Sequence, residues 1–256
     1  MNISGNTILI TGGGSGIGRG LAEALHALGN QVIIAGRRKQ VLDETMMANP
    51  GMKSAILNIE DGASIRDFAA QIEKDYPALN VVIQNAGIMR TENLKSPNLA
   101  DAEAIITTNL LGPFRLNAAL LPLLQKQAHP TIITVTSGLA FVPLTLTPTY
   151  CATKAAIHSY TQSLRYQLRD TKVEVLELIP PYVQTELMGE AQAADPRAMP
   201  LKDYIAESMK ILKSSPEATE ICVERVKPMR FAEASGGYDA FYKKFNDMRA
   251  AAAAGR

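Results

Sequence analysis

The 256-residue chain predicts an α/β fold: a doubly wound parallel sheet of about six strands, with helices on both faces and a helical C-terminal region. Three observations carry this. Short β-branched runs alternate with longer stretches of helical period through the first two thirds of the chain. The runs are apolar throughout, the pattern of strands buried on both faces. A glycine-rich turn follows the first run and opens the first helical stretch. Alternation of this kind lays a parallel sheet between two layers of helices.

In order, strands are expected at residues 7–11, 31–35, 53–58, 80–84, 131–136 and 172–179, with helical spacing at 17–28 and 63–74. Residues 99–127 form a long helical pattern. Beyond Pro180 the pattern changes: residues 185–215 hold Met, Ala and polar residues without a clean strand. Residues 217–234 and 238–249 read as helices. No last apolar strand is evident there, hence the count of six. The alanine-rich tail, 251–256, is expected to fray. No linker divides the chain, so a single domain over 1–256 is expected.

Hydrophobic residues make up 46% of the chain and charged residues 20%, a balance that lets a soluble protein bury a sizeable core. Lys and Arg number 26 against 25 Asp and Glu, a formal net charge of +1. With no overall basic field, neither nucleic acid nor an anionic membrane is expected as a partner. Two cysteines, Cys151 and Cys222, are too few for a disulfide framework and point to a reducing, cytoplasmic setting. The apolar run 7–10 ends at once in glycines, so no signal peptide or membrane span is expected at the N-terminus.

From Thr11 to Gly18 the sequence reads Thr-Gly-Gly-Gly-Ser-Gly-Ile-Gly. Gly12, Gly16 and Gly18 allow a tight turn and close approach of a pyrophosphate. Ser15 and Ile17 stand among them at the helix start, where free N–H groups and the helix dipole attract anions. A merely flexible turn is the alternative; the setting between first strand and first helix favours a dinucleotide. At the end of the second strand, Ala35-Gly36-Arg37-Arg38 stands where a carboxylate would accept bonds from a ribose 2′-hydroxyl. Gly36 follows Gly18 by eighteen residues, close to the usual ~20. Unless Arg37 and Arg38 simply solvate a helix start, they suit a 2′-phosphate that a carboxylate would repel, favouring NADP(H) over NAD(H).

Tyr150 and Lys154 are four apart in a helical stretch and project from one face. Such pairs arise by chance, so their company counts. Ser137 ends the fifth strand, at the carboxyl edge where these sheets bind ligands. Phenol, ammonium and hydroxyl can then converge beside a nicotinamide. Reducing a carbonyl takes a hydride at carbon and a proton at oxygen. A phenol of ordinary pKa near ~10 is a poor base for the reverse reaction, and bringing it down to neutrality takes ~4 kcal/mol. One ammonium ~4 Å away at an effective dielectric of ~20 supplies about that much. Tyr150 and Lys154 would thus serve as a general acid–base device, with Ser137 holding the carbonyl oxygen as charge develops. Asn109 lies four residues before Pro113, which has no N–H to offer the Asn109 carbonyl. That carbonyl can hold a water linking Lys154 to solvent; a kinked packing helix is the alternative.

These residues together resemble the short-chain dehydrogenase/reductase family over residues 3–190. The matching positions are Thr11-Gly12-x-x-x-Gly16-x-Gly18, Asn85-Ala86-Gly87, Asn109, Ser137 and Tyr150-x-x-x-Lys154. The thirteen-residue step from Ser137 to Tyr150 is also typical. Ser4-Gly5-Asn6-Thr7, Gly36-Arg37-Arg38, Pro180-Pro181-Tyr182-Val183-Gln184-Thr185 and the helical C-terminus are similar to the subgroup named for the oxidoreductase of the D-alanyl-lipoteichoic acid operon. The resemblance implies a Rossmann domain with Tyr150 as general acid–base. Lys154 would bind the nicotinamide ribose and lower the Tyr150 pKa, Ser137 would orient substrate, and Asn109 would maintain a water relay. Asn85, Ala86 and Gly87 would line the adenosine side; Pro180, Val183 and Thr185 would meet the nicotinamide and its carboxamide. Asn58 stands where an aspartate commonly meets the adenine amino group, and Ile59 follows it. Gln84, in place of a usual asparagine, is expected to be without consequence, and Pro181, in place of a common glycine, to stiffen its loop. The resemblance also implies a homo-oligomer built on the helices carrying Asn109 and Tyr150. Without the family's final edge strand, a dimer is expected over a tetramer.

The function read from these residues is NADPH-dependent reduction of a ketone or aldehyde, reversible as an alcohol dehydrogenase. Leu139, Phe141, Leu144, Tyr182, Leu187 and Met188 follow strands five and six, where substrate should sit. They are mainly apolar, with no charged anchor beyond the catalytic set, which favours a hydrophobic carbonyl compound. Met188 and Met199 fall in the stretch 185–215, read either as a lid over the substrate or as a surface loop. His158 continues the Tyr150–Lys154 face and is expected to be packed or at an interface, a proton relay being the alternative. Cys151 is expected to be a small buried residue pointing ~100° away from Tyr150. His26 and His129 have no partners at metal-ligand spacing, so no metal is expected. The rival is a sensor that binds NADP(H) and reports redox state to a protein partner without turnover. Such a module need not keep Asn109, Ser137, Tyr150 and Lys154, which are all present.

Overall fold

The computed structural model describes residues 1–254. Its elements run β1 (Thr7–Thr11), α1 (Gly16–Ala27), β2 (Gln31–Gly36), α2 (Lys39–Ala48), β3 (Lys53–Ile56), α3 (Gly62–Asp75), β4 (Leu79–Gln84), α4 (Ala100–Ile106), α5 (Gly112–Gln125), β5 (Thr131–Val135), α6 (Pro148–Gln167), β6 (Glu174–Ile179), α7 (Glu190–Ala193), α8 (Leu201–Ser214), β7 (Glu220–Cys222), α9 (Lys227–Arg230) and α10 (Tyr238–Ala254). The strands form one parallel sheet in the order β3-β2-β1-β4-β5-β6-β7. Chain order therefore reverses between β1 and β4, and sheets of this kind take ligands at that reversal, outside the carboxyl ends of the strands.

Because successive strand residues face opposite sides, each strand feeds two cores. From β1, Ile8 and Ile10 pack with Leu21 and Leu25 of α1 and Tyr204 of α8. Leu9, between them, packs with Phe68 of α3, Leu116 of α5 and Leu164 of α6. Covering on both faces is why the strands are apolar without alternation.

The sheet has seven strands, one more than the sequence pattern suggests. β7 is only three residues long, pairing Glu177 with Glu220 and Ile179 with Cys222, too short to register as an apolar run. The stretch 217–234 is correspondingly not one helix: it holds β7, a 3-10 turn at Glu224–Val226 and the single turn α9. The reason for expecting a dimer over a tetramer, a missing edge strand, falls with this. Helix α10 continues through Ala254, four residues into the tail expected to fray; residues 255 and 256 lie outside the described part.

Helices α4 and α5 follow one another through a π turn, Thr107–Leu111, in which the Gly112 N–H returns to the Thr107 carbonyl. Pro113, in the first turn of α5, has no N–H to give, and a widened turn is how a helix absorbs such a gap. Asn109 sits inside that turn. Among the described residues no helix is long and apolar enough to cross a membrane.

Candidate active site

A cavity of about 670 Å³ opens at the carboxyl ends of the strands. Its floor begins where β1 ends. Gly12 turns the chain with φ +65°, a value side-chain-bearing residues rarely adopt. The turn leads into α1, whose N-cap Ser15 makes no side-chain capping bond, leaving the first-turn N–H groups free for an anion. Gly12, Ser15, Gly16 and Ile17 line the cavity. Gly18 lies behind them, where a Cβ would stand 2.3 Å from the Gly12 carbonyl oxygen and 2.4 Å from Asn85 Nδ2. Asn85 locks the turn by donating to the Thr11 and Gly12 carbonyls at 3.0 and 3.3 Å. The Thr11 hydroxyl accepts from the Asn85 and Ala86 N–H groups at 3.1 and 3.0 Å. Asn85, Ala86 and Gly87 form the adjoining wall. Gly18→Ala is expected to cost about 1–3 kcal/mol through this overlap, lowering Tm by roughly 2–12 °C and weakening dinucleotide binding; an unchanged thermal midpoint would contradict the packing.

Arg37 and Arg38 both reach the cavity, but differently. Arg37 pairs with Glu60 at 2.7 Å, whose carboxylate also accepts from the Thr108 hydroxyl at 2.9 Å. Arg38 extends towards Ser15, Nη2 to Oγ 3.4 Å, alongside the glycine turn. Ile59 lines the cavity with Leu57, whereas Asn58 between them does not. The Asn58 amide oxygen accepts from the Glu60 N–H at 3.3 Å.

At the other end, Ser137 follows β5 and Tyr150 and Lys154 rise one turn apart on α6; all three line the cavity. Tyr150 and Lys154 are each only 6% exposed, and the Lys154 nitrogen lies 5.6 Å from the Tyr150 ring centroid. Ser137 Oγ accepts from the Leu139 N–H at 3.1 Å, which leaves its own proton to donate. Burial pushes the Tyr150 phenol far above its ordinary value, opposed by the hydrogen bond with Ser137. Burial also holds the Lys154 ammonium down, to about 8, against the pull of the Glu177 carboxylate. The lowered phenol expected from the ammonium is therefore not what the chain alone delivers: desolvation dominates, and what opposes it is the bond with Ser137.

Lys154 donates to the Val135 carbonyl at 2.7 Å. Asn109 stands apart from the cavity lining. Its side chain clasps the backbone of Ile88, accepting from N–H and donating to C=O, each at 2.8 Å, and so ties the π turn to the wall that follows Gly87. Gln84 is also engaged, donating to Asn117 at 2.6 Å, a link from β4 to α5.

Pro180, Val183 and Thr185 line the cavity after β6. On the open side stand Leu139, Leu144, Tyr182, Leu187 and Met188. Phe141 does not: the 3-10 turn Gly138–Ala140 carries it away to pack edge-on against His158, centroids 4.8 Å apart. Of the stretch 185–215, residues 185–188 with Gln192, Asp195 and Arg197 meet the cavity, while α8 packs on α1. Met199 is buried in the core beside Val183.

A family model for short chain dehydrogenases matches residues 6–196. The chain belongs to that family. The uncharacterized oxidoreductase DltE of Bacillus subtilis (strain 168) is 39% identical over 252 residues, covering 96% of this chain and 98% of the relative. A short chain dehydrogenase from Burkholderia cenocepacia J2315, solved with NADP, superposes with a TM-score of 0.79 at 22% identity, covering 95% of this chain and 99% of the other. One from Burkholderia phymatum, solved with NAD, gives 0.77 at 19% identity, covering 90% and 94%.

Two parts of this short chain dehydrogenase lie outside the sequence expectations. Glu177, on β6, is fully buried and accepts from Thr136 at 2.7 Å and from His158 Nδ1 at 2.8 and 3.0 Å. A carboxylate inside an otherwise apolar strand was its available signal. Glu220 lies beside this pair and is held by Arg230 at 2.8 and 2.9 Å. The second part corrects the expectation of an uncharged substrate side. Glu186, Asp195, Arg197 and Arg249 also line the cavity, with Met229 and Phe245; half of these come from the C-terminal region, whose path over the cavity no local pattern announces.

Proposed function

We propose that this dehydrogenase reduces a ketone or aldehyde to the alcohol with NADPH, reversibly. The observation that carries the reading is the meeting of the buried Tyr150 phenol and the Ser137 hydroxyl on one cavity wall, with Lys154 behind them. When bound, the nicotinamide supplies the hydride. The uncapped start of α1 and the left-handed Gly12 turn suit its pyrophosphate. Ser137 would orient the carbonyl oxygen by donating its free proton, and Tyr150 would deliver the proton that becomes the alcohol's. Lys154 would stabilise the phenolate left behind. Leu139, Leu144 and Met188 would hold an apolar substrate body.

The test follows consumption of NADPH and NADH with a panel of aromatic, aliphatic and keto-ester carbonyls. Turnover with NADPH is expected; cofactor binding without turnover across the panel would favour the sensor. Arg38, unpaired by any carboxylate among the described residues and reaching Ser15, is proposed as the 2′-phosphate contact. Arg38→Ala should raise the KM for NADPH about ten- to hundredfold, the worth of one charge-assisted contact, and change the KM for NADH little. Equal effects on the two cofactors would remove Arg38 from that role.

A further inference from the structure

We infer that Arg249 anchors a carboxylate of the substrate, so that the compound reduced at Tyr150 is an oxo acid whose anionic end lies across an apolar body from its carbonyl. This rests on the reductase reading above and adds the substrate class to it.

Arg249 lies on α10 with Phe245 and Asn246 one turn earlier, all three on one helix face. Asn246 pins that face to the loop after Ser137: its Oδ1 accepts from the Thr145 N–H at 2.8 Å, and its Nδ2 donates to the Pro143 carbonyl at 3.1 Å. Leu144, between those two anchor points, is itself cavity wall. Arg249 is thus held over the cavity by a fixed crosslink.

Its guanidinium carbon stands 4.4 Å from the centroid of the Tyr182 ring and 5.7 Å from that of Phe245. A contact over a ring engages a guanidinium without using its N–H donors, and those donors form the fork that pairs with a carboxylate. Among the described residues, Arg249 makes no ion pair and no hydrogen bond. The carboxylate nearest in chemistry is already committed. Asp195 is held by Arg197 through Nε at 2.9 Å and Nη2 at 2.7 Å, and it accepts from the Tyr182 hydroxyl at 3.1 Å. Arg197 consequently holds the Asp195 carboxyl far below the usual range. Glu186, on the same wall, is exposed and has no ion pair among the described residues. Asp195 and Arg197 are spent on each other, and Arg249, not paired with the exposed Glu186, faces the cavity with its charge and its donors unengaged among the described residues. Leu139, Leu144 and Met229 supply the apolar lining of the same cavity, where an alkyl chain would gain and a second polar group would lose its hydration.

The experiment compares levulinate and its next three straight-chain homologues with their methyl esters as substrates. At the chain length that spans the cavity, kcat/KM for the acid should exceed that for its ester by about ten- to hundredfold. In Arg249→Leu that ratio should fall to about one, and Arg249→Lys should recover part of it, because a point charge remains without the fork. NADPH affinity reports that each variant is folded. In parallel, calorimetry measures hexanoate and hexanamide on the enzyme–NADPH complex. Tighter binding of hexanoate, lost in Arg249→Leu, supports the anchor even if no ketone is turned over, an outcome that would sink only the reductase reading. Acids no better than esters at every length, with hexanoate no tighter than hexanamide, would overturn it. So would an acid preference that survives in Arg249→Leu.

Discussion

Replacing Tyr150 by Phe is expected to cut kcat/KM for carbonyl reduction by about 10²–10⁴-fold, the span of a positioned proton donor, while NADPH binding and folding persist. Phe fills the same buried volume and forgoes only the hydrogen bond with Ser137, so the protein should lose chemistry without losing shape. The direction in which Tyr150 is pushed adds a second readout. A phenol driven upward by burial stays protonated through the neutral range, the form that donates to a carbonyl. Lys154, held at about 8, is the group that titrates first. Below that value it is charged and can stabilise the departing phenolate; above it that support fades. The wild-type kcat/KM for reduction should therefore be flat near neutrality and fall above pH 8. Alcohol oxidation, which needs the phenolate, should be slow near neutrality and gain with pH. A Tyr150→Phe enzyme retaining a tenth or more of wild-type turnover would be outside the expected range and would remove the phenol from the proton transfer.

The legible parts of this protein share a property: their physics is local. The glycine turn announces itself because a strand, a positive φ and a helix start must occur within eight residues. Pro113 foretold a disturbed helix at Asn109, since a missing N–H is written in the residue itself; that the disturbance would be a π turn was beyond the pattern. What stayed hidden depends on residues far apart in sequence. Strand β7 exists because β6 offers it an edge, and three residues carry no period of their own. Phe141 follows Ser137 closely enough to suggest substrate contact, yet one 3-10 turn sends it to His158. Arg249 lies 99 residues beyond Tyr150 and joins the cavity where Asn246 ties α10 to the loop after Ser137.

Lys154→Met should abolish turnover and raise stability, and the two effects have one cause. The ammonium is buried, with its charged form disfavoured from 10.5 down to about 8. Each tenfold loss of proton affinity is worth about 1.4 kcal/mol, so keeping the charge inside at pH 7 costs about 3 kcal/mol relative to the unfolded chain. The sign follows from proton binding. Between the folded value near 8 and the unfolded value near 10.5, the unfolded chain holds more protons. Stability of the wild type must therefore rise with pH across that window, while below it the full cost applies. Methionine fills a similar volume without charge and forgoes the bond to the Val135 carbonyl, worth about 1.5–3 kcal/mol for a charged donor. A net gain of about 1 kcal/mol near neutrality leaves Tm higher by roughly 2–4 °C in a protein of this size. The gain should shrink at pH 10, where the wild type has shed most of its penalty and the variant has nothing to titrate. Glu177 keeps its bonds from Thr136 and His158 in the variant, so its burial does not become an uncompensated loss. Thermal unfolding at the two pH values decides the matter: a Lys154→Met protein less stable than wild type at pH 7 would mean that the ammonium is well solvated or well paired. On the proposed reductase reading, this cost is borne by the residue that would stabilise the Tyr150 phenolate once its proton has been given.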